Sequence, residues 1–535
     1  MKIQPSQKRM ACLCVGLLAI QPAIANDNVN NPNSSPRLEQ HVKTLNELTE
    51  RRRINTFHNN PQPLNYGLPQ AFVNTTRGNL SFERRDIVVL GSYPIKMARV
   101  YDSSRTDTAD FGRGWYLTLS ETISKQSDGS LLYRDNNAGE QKLALGASSN
   151  FQVSLVSDNQ MQITQRSGQI KTFEKTGEYY RLASIKDALG NGLELVYQNG
   201  QLQKVVGQNG RFVVITRDDN GYITIITDDN DRTVQYRYKK DLLTAMTDLG
   251  GQQWQYKYSG KDLLKRVTDP EGHKAAAFKY GPQGRVTKSN IRGNKHNYQY
   301  QDGYTVVSDA KNNSTTFSYN SIGVTYSVTN AAGYTSTVEL NKNQQVIQLL
   351  ANNQTEAKFT YDNGRANTLT RKTADGNLEQ FQLRYDAKDR LTQVMTGETT
   401  SQSFTYNANG QPLVITGDGP TRSYTYAANG DILSQQNGET LRNFTYNAYG
   451  LLQSLSANGK TAKFDYNNTG KLAKVTFPNK AYHEYQYNSL GFRTQTTRSI
   501  GTKMSYDYDS VGNFKGATSV DDKSESKHIE VKLEK

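Results

Sequence analysis

Between residues 385 and 514 apolar and polar positions alternate in short runs, and the runs return in a fixed order. In Phe404-Thr405-Tyr406-Asn407-Ala408-Asn409-Gly410-Gln411-Pro412-Leu413 the two rings lie two residues apart. On a strand they share one face. Asn407 to Gly410 has the composition of a type I turn. Gly410 stands where a G1 bulge requires the left-handed conformation. Leu413 and Ile415 resume the alternation on a returning strand. The same order recurs at Phe444-Thr445-Tyr446-Asn447 with Gly450, at Phe464-Asp465-Tyr466-Asn467 with Gly470, and at Tyr485-Gln486-Tyr487-Asn488 with Gly491. Each unit predicts a β-hairpin that cannot bury its aromatic face alone and gains a core only by stacking on its neighbours.

The tyrosines that set this register are Tyr385, Tyr406, Tyr426, Tyr446, Tyr466, Tyr487 and Tyr508, at spacings of 20 or 21 residues. A glycine follows four residues later in six of the seven, at Gly410, Gly430, Gly450, Gly470, Gly491 and Gly512. A period near 20 marks an array of one supersecondary unit. Weaker copies carry the register back through Tyr361, Leu340, Tyr319, Tyr300, Tyr280, Tyr258, Tyr238, Arg217 and Tyr197. A second turn lies between anchors, at Asp187 to Gly190, Asp269 to Gly272 and Asn330 to Gly333. No proline-rich linker interrupts 120–514, which predicts one continuous repeat domain over 121–514, about 16 units.

The Tyr-Asp/Asn-x-x-Gly-x-Leu/Ile units, such as Tyr508-Asp509-Ser510-Val511-Gly512, resemble the YD repeats of rearrangement-hotspot (RHS) proteins. A second stretch carries the same resemblance. Arg77-Gly78-Asn79-Leu80, then Pro94-Ile95-Lys96-Met97-Ala98-Arg99-Val100-Tyr101, then Phe111-Gly112-Arg113-Gly114-Trp115 are similar to the opening segment of that family. Trp115, with Phe111, Gly112 and Gly114, is placed to cap the first edge of the array, over 61–120. The resemblance implies an all-β protein whose hairpins form a large twisted, curled sheet, a partly open shell. It departs from the toxin-bearing members, whose repeats end in a self-cleaving segment rich in Asp-Pro-x-Gly-Leu before a variable toxin. Here the one Asp-Pro is Asp269-Pro270, in mid-array.

The first residues have a different logic. Lys2, Lys8 and Arg9 precede an apolar run from Met10 to Ile20, and Ala23-Ile24-Ala25 supplies small residues. That is the pattern of a secretory signal peptide over 1–25, cut between Ala25 and Asn26. The run is shorter than the roughly 20 residues needed to span a bilayer. Both cysteines, Cys12 and Cys14, fall inside it, so the mature chain has no disulfide. A large exported chain without cysteine points to a bacterial periplasm, cell surface or extracellular medium. Residues 26–60 read as a flexible leader with a short helix opening at Ser35-Pro36 and ending at Arg51-Arg52-Arg53. The charged stretch 515–535 reads as a final edge strand or a tail.

Composition adds less. Mean hydropathy is −0.75, yet 33 tyrosines in a sustained period argue for order. A tyrosine suits thin β-structure if its ring packs while its hydroxyl reaches water. The formal charge of +14 is spread along the chain, without a basic-aromatic cluster, and predicts no nucleic-acid partner. The six histidines have no ligand spacing. Asp228-Asp229-Asn230-Asp231 falls where the repeat needs a turn rather than a calcium loop. No Gly-x-Ser-x-Gly elbow or P-loop appears. No catalytic, cofactor or metal residue is therefore assigned, and a hydrolase hidden in 120–196 is the weakest alternative. The expectation is an exported, non-enzymatic repeat protein binding an envelope protein or a glycan. The second reading is a truncated toxin-delivery shell around a separately encoded polypeptide cargo.

Overall fold

The computed structural model describes residues 70–520 and 526–530, apart from 136–138, 148–150, 166–167, 322, 344, 374 and 418. The expected signal peptide with its Ala25–Asn26 cut, and the leader and short helix of 26–60, lie outside the described residues. Every element within them is a β-strand or a turn. From the strand Phe151–Ser157 onward, each strand pairs antiparallel with its neighbours in chain order. Alternation explains the strands. Thr233–Lys239 places Val234 and Tyr236 on the buried face, with Gln235 and Arg237 on the exposed one.

Asp228 to Asp231, just before that strand, is built as a turn. Asp231 takes the left-handed conformation there, with a φ of 58°. The Asp228 carboxylate accepts the backbone N–H groups of Asn230 and Arg232, both at 3.0 Å, and the Arg232 Nε at 2.8 Å. Asp229 pairs with Arg211. The Asp228 and Asp229 carboxylates are thus engaged by arginines and turn N–H groups.

The chain divides into two compact units, one of Phe72–Gly78 with Asn294–Thr421, the other of Asn79–Gly293 with Arg422 onward. The sequence pattern predicts one domain over 121–514. A ribbon of hairpins becomes compact only through what packs on it, and that is not written in the repeat. In the first unit, the Thr305 hydroxyl donates to the Thr75 carbonyl at 2.5 Å and that of Thr76 to Gly323 at 3.3 Å. In the second, the strands Leu80–Val89, Ile95–Asp102 and Trp115–Leu117 form a small sheet. Leu80, Phe82, Phe111 and Trp115 are completely buried around it.

Later turns of the second unit return to its early part. The Tyr449 carbonyl accepts from the Ser92 N–H at 2.9 Å and from the Asn209 side chain at 3.0 Å. Asn191 donates to the Asn429 carbonyl at 2.7 Å, and Ser510 to Glu271 at 3.0 Å. A Cβ on Gly450 would stand 2.5 Å from the Ser92 side chain, so the bulge glycine there also permits close approach. The stretch 515–535, expected as an edge strand or a tail, contributes to the strands Phe514–Val520 and Ser526–Glu530, which pair with each other.

Candidate functional site

The repeat register lies where the bulges are. At fifteen anchor positions from Tyr197 to Tyr508, Arg217 and Leu340 included, the ladder shifts register at the anchor itself. Tyr300 is the exception, pairing with Thr305 without a shift. The six repeat glycines all have φ between 70° and 89°, and Asp389 takes the same slot at 65°. Where an Asn or Asp opens such a turn, it caps the loop: the Asn407 side chain accepts the Asn409 and Gln411 N–H groups.

The anchor hydroxyls do not simply reach water, as the sequence suggests. Tyr258 donates to the Leu243 carbonyl at 2.8 Å, Tyr406 to Leu391 at 2.6 Å, Tyr466 to Leu452 at 2.8 Å and Tyr508 to Arg493 at 3.0 Å. In each case the acceptor lies beyond the last pair of the ladder joining the two hairpins, for example Ala245↔Gln255 and Gln393↔Ser403. The bulge and turn splay the strands there and leave a carbonyl without a backbone donor. The next repeat's tyrosine supplies one. Burial raises the Tyr258 pKa, and it raises that of Tyr426 to about 12.

The residue two before each anchor differs along the array. Leu195, Ile215, Tyr236, Tyr256 and Phe278 are buried, whereas Tyr424, Phe444, Phe464, Tyr485 and Tyr506 are only half-buried. The opening segment packs on the early set. Phe111 meets Tyr236 edge-on with ring centroids 4.8 Å apart, and Trp115 meets Tyr256 at 5.5 Å. Trp115 Nε1 donates to the Tyr258 hydroxyl at 2.9 Å. Gly112 must be glycine: its φ is 89°, and a Cβ would lie 2.3 Å from the Asp241 carbonyl oxygen.

The sequence singles out Phe111, Gly112, Gly114 and Trp115 but not the ions beneath them. Arg99, completely buried, donates to Asp86 at 2.7 Å and to the Tyr256 hydroxyl at 2.6 Å. Tyr236 donates to the same Asp86 oxygen at 2.7 Å. Arg84 reaches Asp86 at 3.3 Å and Asp248 at 3.5 Å, and lies 4.2 Å from the Trp254 ring centre. Desolvation opposes the Arg99 charge, but Asp86 and the tyrosines outweigh it, and its pKa is raised. The available signal was the strand Leu80–Val89, where Arg84 and Asp86 continue the apolar face of Leu80 and Phe82.

The buried carboxylate of Glu121 is committed in the same way. Lys171 donates to both Glu121 oxygens, at 2.7 and 2.8 Å, and the Tyr133 hydroxyl donates to Glu121 at 2.5 Å. A carboxylate held by a lysine and a phenol stabilises charge and is poorly placed to move a proton. Among the described residues no group of three His, Cys, Asp or Glu is arranged to hold a metal, and no helix is long and apolar enough to cross a membrane.

These features define an antiparallel β-hairpin repeat protein whose opening segment packs on the face of its early repeats. Three family models match: a domain of unknown function (DUF6531) over 70–143, the RHS repeat over 385–422 and the teneurin YD-shell over 419–531. Residues 385–531 thus carry RHS/YD repeats. A search of curated proteins finds no match. Among solved structures it is similar in fold to TcdB2-TccC3 without its hypervariable C-terminal region, with a TM-score of 0.51, 14% identity, and coverage of 90% of this chain and 28% of that one. The Photorhabdus luminescens Tc holotoxin pore gives a TM-score of 0.50, 13% identity and coverage of 84% and 26%. The chain spans about a quarter of the length of these solved chains.

Proposed function

We infer that this chain is an exported, non-enzymatic RHS/YD-repeat scaffold that holds a polypeptide against the uncapped aromatic face of its late repeats. The observation that carries the reading is the half-buried row Tyr424, Phe444, Phe464, Tyr485 and Tyr506. A cross-strand neighbour, Leu455 opposite Phe444, extends it. The early repeats bury the same positions under a cap, so the late ones keep an apolar surface for another chain. TcdB2-TccC3, similar in fold, has a hypervariable C-terminal region that is absent from the structure compared. That pairing supports a polypeptide occupant over an envelope glycan for this face.

The test is binding of a reduced and alkylated, unfolded model protein to the full chain, scored by protection of the bound polypeptide from added protease. Protection that disappears in the Phe444→Ser/Phe464→Ser double variant, with unchanged thermal unfolding, is the expected result. Equal binding by the folded and unfolded forms of the probe, or protection indifferent to both substitutions, would sink the reading.

A further inference from the structure

Where the opening segment meets the first repeats of the second unit there is a cavity of about 390 Å³. Its size is at the small end of the range for small-molecule sites. Tyr179, Tyr197 and Tyr222 and the side chains of Arg134, Arg181 and Arg217 line it. Glu121 and Asp110 also face it, and both are already neutralised. Lys171 holds Glu121, and Arg217 donates to Asp110 at 2.8 Å.

The arginines are less fully used. The Arg217 side chain is only 7% exposed, and its Nε has no hydrogen-bond partner among the described residues. The Nε atoms of Arg134 and Arg181 are buried and unpartnered as well. Arg134 pairs with Asp107 and Glu140 and Arg217 with Asp110, whereas Arg181 has no ion pair among the described residues. Its strand position is fixed by pairing with Thr122, and its guanidinium carbon lies 5.7 Å from the centre of the Tyr179 ring. An unpaired cation with a buried, unsatisfied N–H is costly and is relieved by an anion that supplies acceptors.

The tyrosines indicate what the anion is attached to. Tyr197 uses its hydroxyl on the Leu182 carbonyl at 2.9 Å and so offers its ring. Tyr179 is 45% exposed, at the solvent side. Aromatic rings beside polar donors suit a sugar, whose C–H faces pack on rings while its hydroxyls bond to side chains. We propose that this cavity binds a carboxylated monosaccharide of the uronate type, with Arg181 as the principal carboxylate ligand and the tyrosines against the sugar ring. It is separate from the late-repeat face and takes a different class of ligand.

The probe is glucuronate, titrated into the full chain by calorimetry, with glucose and acetate as controls. Binding is expected with a dissociation constant on the order of 1 mM. Glucose and acetate should each bind roughly tenfold more weakly, since one lacks the carboxylate and the other the ring. Arg181→Gln should weaken glucuronate by roughly tenfold or more with the thermal midpoint unchanged. If that variant fails to fold, Tyr179→Ala, at an exposed position, gives the same reading through a weaker association. No glucuronate binding by the full chain, equal binding of glucose or acetate, or unchanged affinity in a folded variant would each overturn the assignment.

Discussion

The early repeats around Tyr236 and Tyr256 and the late repeats around Phe444 and Phe464 use one hairpin design to different ends. Both have the bulge at the anchor, the left-handed turn residue and the hydroxyl bridging to the previous hairpin. They differ in what lies over the residue two before the anchor. In the early repeats it is Phe111, Trp115 and Arg99; in the late ones the side chain stays half-buried. A hairpin repeat therefore sets the geometry of a sheet, and covering of one face sets which stretch is core and which is surface.

The largest effect should come from removing the cover. Trp115→Ala deletes a fully buried indole and its bond to Tyr258, at a cost of about 3–5 kcal/mol. Hydrogen exchange should quicken across 234–280 while 440–508 keeps its protection. Equal loss in both stretches would show that they unfold as one and that the cap is not a local device.

A smaller difference is expected from the hydroxyl bridges. Tyr258→Phe leaves the Leu243 carbonyl without its donor in a buried setting, costing about 1–3 kcal/mol. Tyr508→Phe exposes the Arg493 carbonyl to water and should cost under about 1 kcal/mol. Urea unfolding of the two variants measures the contrast, and equal costs would remove burial as its cause.

The gentlest probe is alkaline pH. The folded pKa values of Tyr238, Tyr258, Tyr446, Tyr466 and Tyr487 are all raised above 10.0 by burial. The unfolded chain then loses protons that the folded chain keeps, so stability is intact below pH 10 and falls above it. Near Tyr426 the fall should level off around pH 12, and near Tyr258 it should continue further. Tyrosinate absorbance followed with circular dichroism would test this; tyrosines ionising near pH 10 without unfolding would contradict it.

Much of the fold is legible in the chain itself. A 20-residue period, paired rings and a glycine four residues after the anchor are local features, and local sterics are enough to make them hairpins with bulges. The cap residues Phe111, Gly112, Gly114 and Trp115 are legible for a related reason, since close turns need glycine and a plug needs a large ring. The bridging role of the tyrosine hydroxyl is not. It depends on a carbonyl 14 to 19 residues earlier becoming stranded once two hairpins splay. Nor are Arg99 and Asp86 visible as a buried pair, because a charged residue in a strand reads as solvent-facing until its opposing surface is known.

The repeating unit and its register follow from the order of residues, because both are properties of neighbours along the chain. Long-range packing then chose which repeats the opening segment covers, how late turns meet early ones, and where Arg181 stands without an ion pair among the described residues. Those outcomes depend on contacts between residues a hundred or more positions apart, such as Arg99 with Tyr256 and Asn209 with Tyr449. No local pattern carries the distance between such residues, and their burial depends on it.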